Sequence, residues 1–307
     1  MDICFLLSSL NFGGAERVAS TLCNSWAKFG HKVTLIATYN GCEKSYFELS
    51  SQIELIYLAH EQDCFLGKSS RSLSRLLKLR YILKRNRPDV LVSFLPSSNV
   101  MGILAGLNLD IPTIVCERTD PEYFPQPWIW KLACRHLYRF ADVLTVQTEN
   151  VASKSERLFR SVRQVKVIPN PLPFLPQANA DSDLPESRVL LSVGRLIDSK
   201  QVDHAVSAFL DLHKDFPAWQ LHIYGDGAER LRLIELVTKN GAEAFVKVLG
   251  ETSSPWEIMQ QAEGFVMTSR FEGFPNALLE DLASLNSEFY ESYQHVIGGL
   301  HEKCGPF

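Results

Sequence analysis

The chain has 307 residues, of which 46% are hydrophobic and 21% are charged, a composition typical of a folded globular protein. This length exceeds what one hydrophobic core usually organises, so we expect two domains of ordinary size. The formal net charge of −4 argues against non-specific nucleic-acid binding as the main task, because any basic patch must then be local.

The first half of the chain alternates short apolar runs with longer stretches of helical period, which is the pattern of a parallel sheet covered by helices. Helices are predicted at 14–29, 69–86, 98–107, 128–140 and 149–160. The predicted strands are ICFLLSSL, KVTLIAT, DVLVSF, TIVCER, DVLTVQT and VKVIPN. We therefore expect residues 1–170 to form one Rossmann-like domain.

A proline-rich stretch that ends at residue 187 predicts a linker at 171–187, after which the same alternation resumes. Helices are expected from about 201, from about 228 and near 257, between the strands VLLSVGR, QLHIYGDG, FVKVLG and GFVMTS. Residues 188–307 are thus predicted to be a second domain. The predicted fold class is α/β, with two doubly wound parallel sheets and a ligand crevice between the carboxyl ends of their strands.

Glycine-bearing turns follow two of these strands. Gly13 and Gly14 precede a helix whose free N–H groups can bind a phosphate, although a tight turn explains a glycine pair equally well. In the second turn, Gly225 and Gly227 are followed by Arg230, where a dinucleotide fingerprint has a third small residue. Neither turn completes that fingerprint, which disfavours a nicotinamide-dependent dehydrogenase.

Arg195 follows the strand VLLSVGR, and Lys200 stands just before the next helix. Two cations on one strand-to-helix loop can neutralise a diphosphate, the arginine as a bidentate fork and the lysine as a point charge. Any single Lys or Arg is more often a solvated surface cation, but the shared loop favours a binding role for this pair.

The stretch TSRFEGFPNALLE carries two carboxylates, Glu272 and Glu280. Glu272 is predicted to end a strand, and Pro275 suits the first position of a helix that begins near Phe274. Gly273 lets a ligand approach the backbone closely. Glu280 would then lie about one and a half turns into the helix. This layout suits a nucleotide sugar, with acceptors for hydroxyls beside donors for a diphosphate.

The motifs NFGGAER, SVGRLIDSK, IYGDGAERLRL and SRFEGFPNALLED together resemble the retaining glycosyltransferases of family 4, which have the GT-B architecture of two facing Rossmann-like domains. The resemblance runs in the expected order from residue 1 to about residue 283, and FEGFPNALLE is similar to the E-x7-E element of that family. It implies transfer of a hexosyl or N-acetylhexosaminyl group from a UDP-sugar to a glycan acceptor, with retention of configuration.

The same resemblance implies a role for each matching residue. Glu272, Arg195 and Lys200 would form the catalytic set, with Glu272 on the donor sugar and the two cations on the diphosphate. Glu280 would contact the ribose. The other donor-binding positions would be Gly13, Gly14, Gly273, Phe274, Pro275 and Asn276. The family needs no metal, and we interpret the DSD at 181–183 as solvated loop.

The segment CERTDPEYFP at 116–125 is similar to the E-R-N-D-P segment of family members that extend glycans linked to polyprenyl diphosphate. Thr119 stands where those members have asparagine. By this resemblance Glu117 and Arg118 are candidate residues on the acceptor side.

Two segments predict contact with a membrane. Residues 68–88 carry eight Lys or Arg and no acid, and their leucines make this a basic amphipathic helix suited to an anionic membrane surface or a lipid diphosphate. The solvated face of an ordinary crossover helix is the alternative. Trp128 and Trp130 lie near basic residues, as membrane-interface aromatics do, but they are equally compatible with a buried core.

Seven cysteines form no C-x-x-C pair, so we expect reduced thiols rather than disulfides or a metal site. The N-terminus carries an acid where a signal peptide has basic residues, and no apolar run reaches the roughly 18 residues of a membrane span. We expect a cytoplasmic protein, with the basic segment 68–88 as a candidate for peripheral contact with the inner membrane.

Beyond about residue 283 the sequence departs from the family pattern, and no apolar strand follows. We therefore expect an incomplete second domain, caused by a frameshift or a premature stop. Two alternatives follow. An inactive remnant or non-catalytic partner in glycan assembly would show no turnover, whereas a non-hydrolysing UDP-sugar epimerase would turn over a UDP-sugar without any acceptor.

Overall fold

The structure is a computed structural model that describes residues 1–11, 13–39, 45–59, 68–123, 126–159, 161–172, 188–252 and 255–285. The chain divides into two compact units, Met1–Pro171 and Leu172–Phe307. All but the first two residues of the predicted linker at 171–187 lie outside the described ranges, so its conformation stays a prediction.

The sheet of the first unit is parallel throughout, in the strand order β3-β2-β1-β4-β5-β6-β7. Its strands are β1 (Asp2–Leu7), β2 (Lys32–Ala37), β3 (Glu54–Tyr57), β4 (Val90–Phe94), β5 (Thr113–Cys116), β6 (Val143–Val146) and β7 (Val165–Val167). Six of them were predicted. The prediction missed β3, an edge strand of only four residues that begins with an exposed glutamate and contains no fully buried residue.

All five predicted helices of this unit are confirmed, with small shifts at their ends. They are α1 (Gly14–Lys28), α2 (Lys68–Asn86), α3 (Pro96–Gly106), α4 (Trp128–Leu137) and α5 (Glu149–Leu158). The predicted helix at 128–140 is α-helical to Leu137 and ends in a 3-10 turn, Tyr138–Phe140. The alternation of apolar and helical segments therefore located this unit's elements almost completely.

The helices lie on both faces of this sheet. On one face Phe5 of β1 packs in a buried cluster with residues of α1. On the other face Leu6 shares a cluster with Leu79 of α2 and Met101 of α3, and α3 packs in turn against α4 through Ile103 and Cys134. Helices α2, α3 and α4 thus lie side by side in one layer on a single face, and α5 continues this layer through Val151 and Ala152.

The second unit contains a second parallel sheet, in the order β10-β9-β8-β11. Its strands are β8 (Arg188–Val193), β9 (Trp219–Tyr224), β10 (Val246–Gly250) and β11 (Gly264–Phe265). Its helices are α6 (Val202–Leu212), α7 (Arg230–Lys239), α8 (Pro255–Gln260) and α9 (Asn276–Leu285). These sheets confirm the predicted α/β class. The predicted departure from the family pattern falls mostly on 286–307, which lie outside the described residues.

The YGDG turn joins the loops that follow two neighbouring strands. Gly225 and Gly227 have φ values of +146° and +153°, which L side chains rarely adopt. A Cβ on Gly225 would lie 1.8 Å from the carbonyl oxygen of Gly194, in the loop after β8. The Leu196 N–H also donates to the Asp226 carbonyl at 2.8 Å. These glycines therefore allow close backbone contact between the two strand-end loops.

Replacing Gly225 by alanine is expected to lower the free energy of unfolding by about 3 kcal/mol, because the new Cβ combines overpacking with an unfavourable backbone conformation. Gly241→Ala is the matched control, since Gly241 also has a positive φ of +61° but no atom within 4 Å of the added Cβ. Urea unfolding of both variants measures the difference. Equal losses in the two variants would contradict the proposed backbone contact.

Candidate active site

Two segments of the second unit, distant in sequence, are joined by hydrogen bonds and ion pairs. The Arg270 N–H donates to the Ser199 carbonyl at 2.9 Å, and the Arg270 guanidinium lies 3.2 Å from the Asp198 carboxylate. The Thr268 hydroxyl donates to the carbonyls of Lys200 and Gln201, at 3.2 and 2.8 Å. The loop between β8 and α6 is thereby fixed against the segment between β11 and α9.

These contacts bring together two of the predicted catalytic residues. Lys200 Nζ lies 2.5 Å from Glu272 Oε1, and the side chains are 23% and 22% exposed. A cation and a carboxylate are thus paired at the surface, where a ligand can reach both. The ammonium can bind a phosphate oxygen, and the carboxylate can accept hydrogen bonds from hydroxyls.

The residue after Lys200 has an unusual backbone conformation. Gln201, the N-cap of α6, has φ 47° and ψ 41°, in the left-handed region that costs a non-glycine residue roughly 1–2 kcal/mol. The Thr268 hydroxyl holds its carbonyl from the neighbouring segment. Thr268 is therefore a positioning residue for the Lys200 loop. Sequence reasoning missed it, since a threonine in a polar stretch carries no pattern of its own.

Arg195, the other predicted cation, lies in the same loop, two residues after β8 ends at Val193. Its side chain is exposed, and no hydrogen bond or ion pair joins its guanidinium to another residue in the described part of the chain. It is therefore accessible to a charged ligand, as the predicted role on a diphosphate requires.

Two details of the predicted local structure are wrong. Glu272 does not end a strand, because β11 stops at Phe265. The last bond to β8 comes from the Val266 N–H, and Arg270 N–H then donates to the Ser199 carbonyl in the Lys200 loop. The helix begins at Asn276 rather than near Phe274. The Pro275 carbonyl accepts from Leu279 N–H at 3.1 Å, which makes Pro275 the cap. The residue before a proline disfavours the helical region, which explains why Phe274 lies outside α9.

The remaining donor-site residues differ in burial. Gly273, Phe274 and Asn276 are half-buried in the segment that leads into α9. Glu280 lies little more than one turn into the helix and is only 2% exposed. Its neighbour Asp281 is also buried, and desolvation raises the pKa of that carboxyl to about 6. Contact between Glu280 and a ribose stays a prediction.

In the first unit, Gly13 is the N-cap of α1 and Gly14 is the first helical residue. Gly13 has an extended backbone, with φ −178° and ψ 158°, so its conformation does not require glycine. A Cβ there would meet the Glu16 carboxylate at 2.2 Å, and this carboxylate accepts a hydrogen bond from Ser9. The tight-turn explanation for Gly13 therefore loses its support, and phosphate binding at this loop stays a prediction.

Glu117 lies inside the first unit at the end of β5, with an exposed fraction of 1%. Its carboxylate accepts a hydrogen bond from the Tyr138 hydroxyl. Asn99 donates to that hydroxyl at 2.9 Å and accepts from Ser93 at 2.8 Å. Desolvation raises the pKa of Glu117 to about 7, against the opposing effect of the Tyr138 hydrogen bond. In this arrangement the Glu117 carboxylate is bound by a side chain of the protein and is hardly exposed to a ligand.

Arg118 is more accessible than Glu117. Its guanidinium stacks on Phe94, 3.8 Å from the ring centroid, and donates to Asn170 Oδ1 at 2.5 Å. Next to it in the sheet, Gln147 follows β6 with both amide atoms buried and without a partner among the described residues. The acceptor-side role of Glu117 and Arg118 stays a prediction. Asn170 and Gln147 were not predicted, because their positions beside Arg118 depend on strand order.

Glu117→Gln is expected to change how stability depends on pH. The folded-state pKa of about 7 lies above the ordinary value of 4.5, so the folded protein binds more protons between these values and its free energy of unfolding falls as pH rises. Removing the carboxyl should abolish a fall of about 3 kcal/mol across this window. Urea unfolding of both proteins at a series of pH values measures the difference. Parallel pH curves would contradict the burial of an ionisable Glu117.

Within the described ranges, no group of three or more His, Cys, Asp or Glu residues is arranged to hold a metal ion. Metal-independent transfer stays a prediction. No helix in the described part of the chain is long and apolar enough to cross a membrane.

Two family models match the chain. Residues 12–173 match Glycosyltransferase Family 4, and residues 177–284 match Glycosyl transferases group 1. The chain is 29% identical over 310 aligned residues to GalNAc-α-(1→4)-GalNAc-α-(1→3)-diNAcBac-PP-undecaprenol α-1,4-N-acetyl-D-galactosaminyltransferase of Campylobacter jejuni, covering 98% of this chain and 83% of the relative. It is 32% identical to lipopolysaccharide 1,6-galactosyltransferase of Salmonella typhimurium, covering 92% of this chain and 78% of the relative.

Among solved structures, S. aureus TarM in complex with Fondaparinux, α-GlcNAc-glycerol and UDP is similar in fold. The TM-score is 0.74 at 12% identity, covering 92% of this chain and 84% of TarM. This likeness supports the predicted GT-B fold class. With both family models matching in the expected order, the chain belongs to glycosyltransferase family 4 and is a glycosyltransferase.

Proposed function

We propose that the chain transfers a hexosyl or N-acetylhexosaminyl group from a UDP-sugar, with retention of configuration, to a glycan linked to a polyprenyl diphosphate. The observation that carries this proposal is the pair of Lys200 and Glu272, which are held 2.5 Å apart by two segments of the second unit. The pair offers a cation and a carboxylate to one ligand, as a sugar diphosphate requires.

The donor assignment rests on charge and hydrogen-bonding capacity. A nucleoside diphosphate brings negative charge that grows when the sugar–phosphate bond breaks, and Lys200 and Arg195 are the cations of the loop that can stabilise it. Lys200 would then exchange part of its contact with Glu272 for a phosphate oxygen. The carboxylate released in this way can accept hydrogen bonds from sugar hydroxyls. The fold relative TarM was solved with UDP, which supports a uridine nucleotide.

In the proposed reaction, the bond between the anomeric carbon and the diphosphate oxygen breaks, and UDP leaves with the bonding electrons. An acceptor hydroxyl forms the new bond from the same face of the sugar and passes its proton to an oxygen of the departing diphosphate. Positive charge develops on the sugar ring in such transfers. Glu272 is the nearby carboxylate that can stabilise this charge, while Lys200 and Arg195 stabilise the opposite charge on UDP.

The acceptor assignment rests on the named relatives. The Campylobacter jejuni relative acts, by its name, on a glycan attached to diphospho-undecaprenol, and so does a second relative from that organism, at 26% identity. The segment around Arg118 supports the same class of acceptor by its resemblance to the E-R-N-D-P segment.

The test is UDP release by the purified chain, with a panel of UDP-sugars, in the presence and absence of a membrane lipid extract. We expect release from one UDP-sugar that depends on the extract, and a product whose anomeric configuration matches the donor when examined by NMR. No release by the folded chain with any donor would support a non-catalytic partner instead. Conversion of a UDP-sugar without any acceptor would support an epimerase.

We further propose that transfer needs no divalent metal, because cationic side chains supply the charge that a metal would otherwise provide. UDP release is expected to continue at an unchanged rate after dialysis against EDTA. A loss of release that magnesium or manganese restores would contradict this proposal. A metal-dependent sugar transferase dialysed in parallel is the control for complete chelation, and its UDP release should be lost.

A further inference from the structure

The part of the layer formed by α2, α3 and α4 carries charges of one sign only, which is positive. Helix α2 carries seven Lys or Arg, α4 carries two and the turn 138–140 carries one, so this part contains ten basic residues. It contains no Asp or Glu, and α3, which lies between the other two helices, has no charged residue at all. Helix α5 follows on the same face and carries two Glu beside one Lys and one Arg. The unbalanced positive charge is therefore confined to α2, α4 and the turn 138–140, in a chain whose net charge is −4.

The same layer exposes large apolar side chains. On α4, the inward face packs through Cys134, while Trp130 is partly buried against the same cluster. Its outward face carries Trp128, which is 75% exposed, together with Ile129 and Leu132. The sequence did not decide whether Trp128 and Trp130 are buried or exposed. In the structure Trp130 packs against the core and Trp128 lies outside it.

Helix α2 repeats this arrangement. Its inward face is anchored by Leu79 and Leu83, which are fully buried. Arg80 is used structurally, since it donates to the carbonyls of Ala105 and Leu107 at 2.9 Å at the end of α3. The outward face repeats an apolar residue at every fourth position. These residues, Leu73, Leu77 and Tyr81, have exposed fractions between 57% and 66%.

We propose that the outward faces of α2 and α4 form one docking surface for an anionic lipid bilayer, with Trp128, Ile129 and Leu132 inserting at the interface and the surrounding cations binding lipid headgroups. The surface is named the α2–α4 surface below. It deepens the proposed function, on which it rests for the membrane location of the acceptor. It joins the two segments predicted to contact a membrane, 68–88 and the segment that contains Trp128, into one surface.

Charge complementarity favours a bilayer over a protein partner. Protein interfaces are depleted of lysine at their centres, whereas here Lys131 is exposed between the apolar residues of α4. Anionic lipids attract such cations near the surface, and tryptophan and tyrosine settle at the headgroup level. Apolar residues spread among cations on a helix face fit the interfacial plane of a membrane.

The test uses vesicles that contain neither donor nor acceptor, so that its outcome is independent of turnover. The purified chain is sedimented with vesicles of phosphatidylcholine alone or of phosphatidylcholine mixed with phosphatidylglycerol. We expect binding to the mixed vesicles only, with weaker binding at high salt because screening reduces the attraction. Binding to neither kind of vesicle would overturn the proposal, and so would equal binding to both.

Two multiple variants of α4, each with a matched control in the second unit, test whether the α2–α4 surface binds the vesicles. Trp128→Ser/Ile129→Ser/Leu132→Ser and Lys131→Glu/Arg135→Glu are each expected to weaken vesicle binding about tenfold or more. The matched controls change exposed residues of the second unit and are expected to bind as the unchanged chain does: Leu212→Ser/Phe216→Ser/Leu231→Ser and Lys214→Glu/Lys239→Glu.

Urea unfolding first confirms that each variant is folded, which the exposure of the replaced side chains leads us to expect. Equal losses in the α4 variants and in their controls would overturn the assignment of this surface. A different outcome would show that a second copy of the chain covers this surface. In that case the unchanged chain would self-associate, the α4 serine variant would be monomeric, and neither protein would bind vesicles.

Discussion

Glu272→Gln is expected to lower kcat for UDP release by about 100- to 1000-fold, the range found when one group that stabilises transition-state charge is removed. Glutamine keeps the size of the side chain but loses the negative charge that can stabilise a developing positive charge on the sugar ring. The measurement is the initial rate of acceptor-dependent UDP release at saturating donor.

The control for Glu272→Gln is stability. The pair with Lys200 is partly exposed, and ion pairs of this kind contribute only about 0–1 kcal/mol to the free energy of unfolding. Urea unfolding should therefore change by less than about 1 kcal/mol. Turnover at the rate of the unchanged chain would exclude Glu272 from the catalytic set. A large loss of stability would show that the residue acts in folding instead.

Lys200→Met is expected to cause a loss in kcat of similar size, about 100- to 1000-fold, because the leaving diphosphate loses one of the two cations of this loop. Methionine retains much of the length of the side chain without its charge. Lys214→Met, in an exposed part of the second unit, is the matched control and should turn over normally.

The double variant Lys200→Met/Glu272→Gln tests whether the two residues act together. Residues in direct contact that serve one function show non-additive effects. We therefore expect the double variant to lose less than the product of the two single losses. Strictly multiplicative losses would indicate that Lys200 and Glu272 act on turnover independently, despite their contact.

Much of the fold followed from the sequence because parallel strands covered on both faces form continuous apolar runs. Two elements were predicted poorly from the sequence, each for a physical reason. Strand β3 is a four-residue edge strand in which no residue is fully buried, so it resembles a surface segment. Helix α9 starts later than predicted, since the residue before Pro275 resists helical geometry.

The sequence allowed candidate site residues to be named, but it did not predict their arrangement. Lys200 and Glu272 were singled out from their local sequence, and the family resemblance gave them roles. Their contact, however, spans 72 positions of sequence and depends on how two loops meet. Thr268 and Gln201, which fix those loops, had no sequence signal. The sequence shows a glycine at position 225 but not why glycine is needed there. The structure gives the cause, which is close contact with the Gly194 carbonyl in an adjacent strand-end loop.

The most direct measurement is a calorimetric titration of the chain and of Lys200→Met with UDP and with uridine. Hydrogen bonds to charged groups contribute roughly 1.5–3 kcal/mol, so we expect the variant to bind UDP about 10- to 100-fold more weakly. Its affinity for uridine, which lacks the diphosphate, should be unchanged. An equal affinity of both proteins for UDP, or no binding of UDP by the unchanged chain, would contradict a nucleotide-sugar site beside Lys200 and Glu272.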